Sequence, residues 1–322
     1  MPVIASISAA VIPMTAYLFL LWKLDKYDKE PLGNIIKHFL WGAVGSILLA
    51  VAGSLLFSSV IRSLFQLTDY SASLWEAILI APLVEEFMKG IFPMITVRSK
   101  NFDNLTDGLV YGGAIGLGFG MTENFFYFFA FGVDIQTWIG LVVIRSIFSA
   151  VMHCISTGSF GAMLAIAKFN HTSLKIFLPV LGYFIAVIIH FLWNLSVSFP
   201  ATYFFGLLFM LSAIIFFIVV FYLSLAYERW IIREELEDET EVSLIPSENS
   251  AFLYSEKSSS KRWIESGLRK RYTRNIVKLA LRKHQVKNSR GRLLTYYLED
   301  IEKTREKLSE IVTLIRQDYR AE

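Results

Sequence analysis

Glu85, Glu86, Lys89, Glu123 and Arg145 lie inside apolar stretches of the sequence, joined there by His153, His190 and Asn194. Carboxylates and imidazoles exchange protons near neutral pH, and the same two side-chain types bind zinc. Placing one charged residue at the centre of a membrane helix costs roughly 2.5–3.5 kcal/mol, so five left unpaired would cost on the order of 12–17 kcal/mol. They must therefore meet one another, or water, inside a bundle.

Their spacing says which can meet. Lys89 follows Glu85 by four residues and Glu86 by three, so it reaches either carboxylate from the same side of a helix. It cannot neutralise both, which leaves one carboxylate to take a proton from water. Gly112, Gly116 and Gly120 recur every four residues, a small-residue stripe that lets a neighbouring helix approach closely. Glu123 falls within about 20° of Gly112 and Gly116 on the helical wheel, so it faces that contact. Arg145, Ser149 and His153 form a polar ridge at spacings of four, with Arg145 a counter-ion for one of the glutamates. His190 and Asn194 share one helix face. Cys154, the single cysteine, diverges from His153 by about 100° and makes a poor nucleophile candidate.

The elements that must hold these groups are membrane helices. Hydrophobic residues make up 54% of the 322 and charged residues 18%, too apolar for a soluble chain of this length. Spans of about 20 residues are expected at Val3–Trp22, His38–Ile61, Leu74–Ile95, Leu105–Phe131, Trp138–Phe169, Leu174–Phe199 and Tyr203–Tyr227. The fold class is thus all-α: a polytopic bundle of about seven transmembrane helices. Lys23, Lys26, Lys29, Lys37, Arg98, Lys100, Lys168 and Lys175 fall in the first, third and fifth loops, which puts the N-terminus outside and the C-terminus in the cytoplasm. Residues 1–230 form the expected bundle and 231–322 a basic, helical cytoplasmic tail. The tail opens on the acidic run Glu234–Glu239 and passes through a Ser/Pro-containing linker around Ser243–Ser260. From Lys261 to Arg292 it holds twelve Lys or Arg against Glu265 alone, a composition suited to anionic inner-leaflet lipid. No nucleic-acid-binding module is recognisable, and no nucleic-acid partner is expected.

Four fragments carry a resemblance. They are Pro82-Leu83-Val84-Glu85-Glu86-Phe87-Met88-Lys89, the stretch from Asp107-Gly108 to Glu123-Asn124, the stretch from Arg145 to His153, and His190-Phe191-Leu192-Trp193-Asn194. In this order, over residues 75–200, they resemble the PrsW family of intramembrane proteases, relatives of the CAAX prenyl endopeptidases and bacteriocin-processing enzymes. The resemblance implies an integral protein of the plasma membrane that hydrolyses a peptide bond of a membrane-anchored substrate, as PrsW-like proteins do with an anti-sigma factor. Glu85 and Glu86 match the family's paired glutamates, and Glu123, His153 and His190 its later polar positions. The CAAX endopeptidases have a histidine four residues after the phenylalanine of their second motif, where this chain has Glu123 after Phe119, so their glutamate–histidine dyad does not transfer directly.

The candidate catalytic residues are therefore Glu85, Glu86, Glu123, His153, His190 and Asn194. In one mechanism Glu85 or Glu86 takes a proton from water while His190 and Asn194 stabilise the oxyanion. In the other, His153, His190 and a glutamate, Glu123 being the candidate, hold a zinc ion while another glutamate acts as base. Rival readings are a transporter or cation pathway using the same midplane groups, which the lack of an internal repeat weakens, and a non-catalytic membrane scaffold.

Overall fold

A computed structural model of the protein describes residues 3–66, 68–100, 102–170, 172–241 and 266–321. The linker expected at Ser243–Ser260, and Lys261, Trp263 and Glu265 of the basic segment, lie outside them. Helices account for the regular structure, with no strand among the described residues.

The chain divides into two units, the first comprising Met1–Asp25 and Glu30–Phe221. Its helices are α1 (Val3–Leu24), α2 (Leu32–Leu40), α3 (Ile47–Phe65), α4 (Asp69–Trp75), α5 (Ala81–Thr96), α6 (Leu105–Phe131), α7 (Ile135–Ile144), α8 (Ala150–Lys168), α9 (Thr172–Ser198) and the first part of α10 (Tyr203–Glu241). Three pairs are continuous rods interrupted by a π-helical turn: α2–α3 at Trp41–Ser46, α4–α5 at Glu76–Ile80 and α7–α8 at Arg145–Ser149. Such turns leave a backbone group without its regular partner and concentrate at functional sites. Two of the three stand immediately before the residues with chemistry.

Five helical segments are long and apolar enough to cross a bilayer: Val3–Leu24, Leu32–Phe65, Ile135–Lys168, Ser173–Ser198 and Tyr203–Glu237. Their outward side chains suit lipid, with Leu48, Leu55, Phe205 and Phe216 each more than 60% exposed. The chain is an integral, multi-pass membrane protein. The other two expected spans are present as α4–α5 and α6, but they hold Glu76, Glu85, Glu86, Lys89, Asp107, Glu123 and a run of glycines and fall short on composition. The second span begins earlier than expected, at Leu32, so that His38 lies within it. The last helix does not end near Tyr227. No Gly or Pro lies between Tyr227 and Glu241, and this Glu-rich sequence extends α10 through the acidic run.

Helix α6 is the axis of the first unit and packs most extensively along α8. Glycine makes this possible: a methyl group at Gly112 would collide with the carbonyl of Thr157, and one at Gly116 with that of His153. The stripe thus brings Glu123 to the helix that carries His153. The start of α6 is fixed by a capping box, in which Asn104 Oδ1 accepts the Asp107 N–H at 2.8 Å while Asp107 Oδ2 accepts the N–H groups of Asn104 at 3.0 Å and Asp103 at 2.7 Å. One turn on, the Tyr111 hydroxyl donates to the buried Glu30, whose own N–H donates to Asp25 Oδ2 at 2.7 Å. Sequence reasoning had not singled out this second buried polar group.

The second unit comprises Lys26–Lys29 and Tyr222–Glu322. The lower part of α10, α11 (Ser266–Lys287) and α12 (Arg292–Ala321) enclose a core that includes Leu236, Ile276, Leu279 and Leu308. At its edge Asp300 accepts from Lys278 at 2.7 Å and Arg282 at 2.9 Å, and Glu235 pairs with Lys287 at 2.6 Å.

Candidate active site

Helix α5 emerges from its π-helical turn with Pro82, which has no N–H to contribute, and one turn later presents Glu85, Glu86 and Lys89. Helix α8 follows its own π-helical turn with His153, and α9 places His190 opposite both. The imidazoles of His153 and His190 meet edge to face, 4.8 Å between ring centres.

The two adjacent glutamates have different surroundings. Glu86 is buried, and its carboxylate is saturated: Oε1 accepts from Lys89 Nζ at 2.8 Å, His190 Nδ1 at 2.9 Å and Ser156 Oγ at 3.1 Å, and Oε2 accepts from Thr157 Oγ1 at 3.1 Å. Glu85 is 15% exposed at its side chain; its Oε2 is buried without a hydrogen-bond donor, 3.8 Å from Lys89 Nζ and 3.9 Å from His190 Nε2. Ser156 and Thr157 were not candidates from the sequence. The available signal was their position three and four residues after His153, which places them on the same helix face.

Lys89 has no exposed surface. Besides Glu86 it meets His153 Nδ1 at 2.8 Å and lies 4.0 Å from the centre of the Phe119 ring. An ammonium only donates, so His153 Nδ1 accepts and the ring proton sits on Nε2, which donates to Glu123 Oε2 at 2.7 Å. Arg145 completes the chain: its Nη2 pairs with the same Glu123 oxygen at 2.8 Å, its Nε donates to Asn124 Oδ1 at 3.0 Å, and its guanidinium stacks 3.5 Å from the centre of the Tyr127 ring. The charges that looked costly in the sequence are thus joined in one network, Glu85–Lys89–Glu86 on one side and His153–Glu123–Arg145 on the other.

Asn194 lies one turn beyond His190, but its Nδ2 donates to the carbonyl of Ala77 at 2.9 Å, inside the π-helical turn that precedes α5. Trp193 is fixed in a parallel way, its Nε1 donating to Ser149 Oγ at 3.2 Å in the turn that precedes α8. One turn of α9 therefore braces both interruptions.

Glu85, His153 and His190 each offer a ligand atom within 4.8 Å of the others, a compact set that holds Glu85 where the sequence had suggested Glu123. Two imidazoles and a carboxylate match a catalytic zinc donor set. The unpartnered Glu85 Oε2 and the bond from His190 Nδ1 to a carboxylate suit such an ion, because metal-binding histidines commonly have their other nitrogen fixed in this manner. His153 would have to exchange one of its two present bonds. Glu123 and His153 also line a cavity of about 510 Å³, which Asn194 and Arg145 border.

Residues 30–223 match the family model described as PrsW family intramembrane metalloprotease. The chain is 28% identical over 162 residues to Protease PrsW of Clostridioides difficile, an alignment covering 50% of this chain and 65% of that protein, just under two thirds of its length. It is 29% identical over 189 residues to Protease PrsW of Oceanobacillus iheyensis, covering 58% and 80%, and 28% identical over 167 residues to that of Bacillus subtilis, covering 52% and 70%. No solved structure matches the chain.

Proposed function

Because the chain belongs to the PrsW family of intramembrane metalloproteases, we propose that it is an endopeptidase that hydrolyses a peptide bond of a membrane-anchored protein, with a regulatory protein such as an anti-sigma factor as its substrate. The observation that carries this reading is the meeting of Glu85, His153 and His190 beside a cavity bordered by Glu123.

Glu85, His153 and His190 would hold a zinc ion, which supplies Lewis-acid polarisation of the scissile carbonyl and makes water easier to deprotonate. Glu86 orients His190 through Nδ1, and Lys89, Ser156 and Thr157 fix Glu86 in turn. Glu123, the carboxylate outside the ligand set, faces the cavity and accepts the proton of the attacking water. It then delivers that proton to the departing amine nitrogen. Arg145, 2.8 Å from Glu123, keeps the carboxylate aimed.

A second reading is favoured by the engagement of both nitrogens of His153, with Lys89 and with Glu123. In it no ion is held, and Glu85, whose Oε2 has no donor, takes the proton itself.

The lysines and arginine of the first, third and fifth loops support an orientation with the N-terminus outside and the tail in the cytoplasm. There the exposed Lys270, Arg271 and Arg274 of α11 meet anionic lipid.

Cleavage of single-span reporter proteins by the chain reconstituted in liposomes tests the assignment. The wild type cuts, while folded Glu85→Gln and His190→Ala do not. Loss of cutting with a chelator and its return with zinc supports the metal-bound mechanism, and indifference to the chelator supports Glu85 as base. Uncut reporters together with proton or cation flux would replace the protease reading by that of an ion pathway.

A further inference from the structure

Helix α7 is unusual in this bundle: none of its residues is buried. Its one face, Ile135, Ile139 and Val143, is 46–53% exposed and suits lipid. Its other face, Thr137, Gly140, Leu141 and Ile144, lines the cavity that reaches Glu123 and His153. A single helix thus separates the site from the bilayer. It is tied at one end by Trp138, whose Nε1 donates to Ser6 Oγ of α1 at 3.2 Å, and continues at the other into the π-helical turn that begins with Arg145.

The size of the cavity limits what it can take. One turn of helix, 10–12 Å across and 5.4 Å high, fills roughly 500 Å³, and the cavity measures about 510 Å³. A transmembrane helix does not fit intact, whereas a short unwound segment does. Its peptide groups, stripped of helical hydrogen bonds, would find the polar groups of Glu123, Arg145, Asn194 and Ser149 along the wall. Side chains would point toward α7, where Gly140 offers none of its own and a Cβ at that position would have nothing within 4 Å.

Resting on the protease reading above, we propose that this cavity is the cleft that receives the scissile segment in unwound form, and that Gly140 sets the size of the substrate side chain admitted beside Glu123 and His153. The occupant is a stretch of a few residues, with a bulky apolar side chain accommodated over Gly140. Leucine at this position fills the space without disturbing the packing of the bundle, because a Cβ at Gly140 meets nothing within 4 Å.

The test uses the full chain in liposomes with reporters that differ only in carrying Ala, Leu or Phe across the cut segment. Gly140→Leu is expected to lower cutting of the Phe reporter at least tenfold relative to the Ala reporter, while Ile139→Ala on the lipid face leaves that ratio unchanged. A folded Gly140→Leu protein with the wild-type ratio would overturn the assignment. A second arm reads binding without chemistry. Cys154 is the single cysteine, so a benzophenone attached at Gly140→Cys in a Cys154→Ala background reports contact with the reporter from one position. If the wild type cuts nothing, capture of the reporter at position 140, competed by unlabelled reporter, upholds the cleft while the protease reading fails. Cutting without capture overturns the cleft and leaves the protease reading standing.

Discussion

His190 Nδ1 lies 2.9 Å from Oε1 of Glu86, and that oxygen also accepts from Lys89 and Ser156. Its neighbour Glu85 has a buried Oε2 with no donor. Two glutamates adjacent in sequence thus face opposite demands, one bound on all sides and one available.

Substitution should separate them. Glu85→Gln is expected to reduce reporter cleavage on the order of a hundredfold or more with unchanged thermal stability. Glu86→Gln removes the carboxylate 2.8 Å from the buried Lys89 and leaves it only that of Glu85 at 3.8 Å; it should destabilise the protein by about 3 kcal/mol, read as an earlier melting transition in detergent. Equal melting of the two variants would refute the division.

Lys89 and Glu86 should be strongly coupled. Lys89→Met leaves the buried Glu86 its bonds to His190, Ser156 and Thr157 but takes away the ammonium 2.8 Å from it; it should cost about 3 kcal/mol, whereas the double variant Lys89→Met/Glu86→Gln should recover part of the loss. Additive losses in a double-mutant cycle would show that the 2.8 Å pair contributes little.

Metal content offers an independent reading. The purified protein is expected to hold about one zinc ion per chain by elemental mass spectrometry, with His190→Ala losing it. Glu86→Gln, which removes the carboxylate that orients His190, should weaken zinc affinity by roughly 10–100-fold. Zinc retained at wild-type affinity in both variants would place the ion elsewhere.

Close approach of α6 and α8 predicts a steep penalty at Gly116, where a side chain meets the His153 carbonyl. Gly116→Val should cost about 3 kcal/mol or prevent assembly, whereas Gly140→Ala, in open space, should leave the melting temperature unaltered.

The second unit should weaken on acidification. Burial favours the neutral acid at Asp300, but the hydrogen bonds from Lys278 and Arg282 outweigh it and hold the carboxyl below its ordinary range. Burial also lowers His284 below its ordinary value of 6.5, against the pull of Glu235. A group with a depressed value contributes stability above its unfolded pKa and loses it as pH falls through the folded one. Stability should therefore fall below about pH 6.5 through His284 and again below the ordinary aspartate range through Asp300. The difference in melting temperature between wild type and Asp300→Asn should shrink as pH is lowered from 7 to 3, and a constant difference would contradict the assignment.

Much of the bundle was legible in the sequence, because hydropathy and charge act along the chain and need no partner. Apolar length marked membrane helices, the four-residue glycine spacing marked a close contact, and charges inside apolar stretches marked the residues that had to meet. The ordered fragments from Pro82 to Asn194 carried the family. Tertiary structure decided what depends on distances between helices: that Lys89 reaches His153 as well as Glu86, that Ser156 and Thr157 saturate Glu86, that Asn194 spends its amide on Ala77, and that Glu85 joins the two histidines. The π-helical turns at Trp41–Ser46, Glu76–Ile80 and Arg145–Ser149 lie inside apolar stretches whose spacing does not distinguish them from α-helix. The sequence by itself determined which groups are too polar for lipid; only the packing of α5, α6, α8 and α9 decided which of them are satisfied and which are left with capacity for chemistry, because hydrogen bonding is settled by distances of a few tenths of an ångström that no spacing along one helix contains.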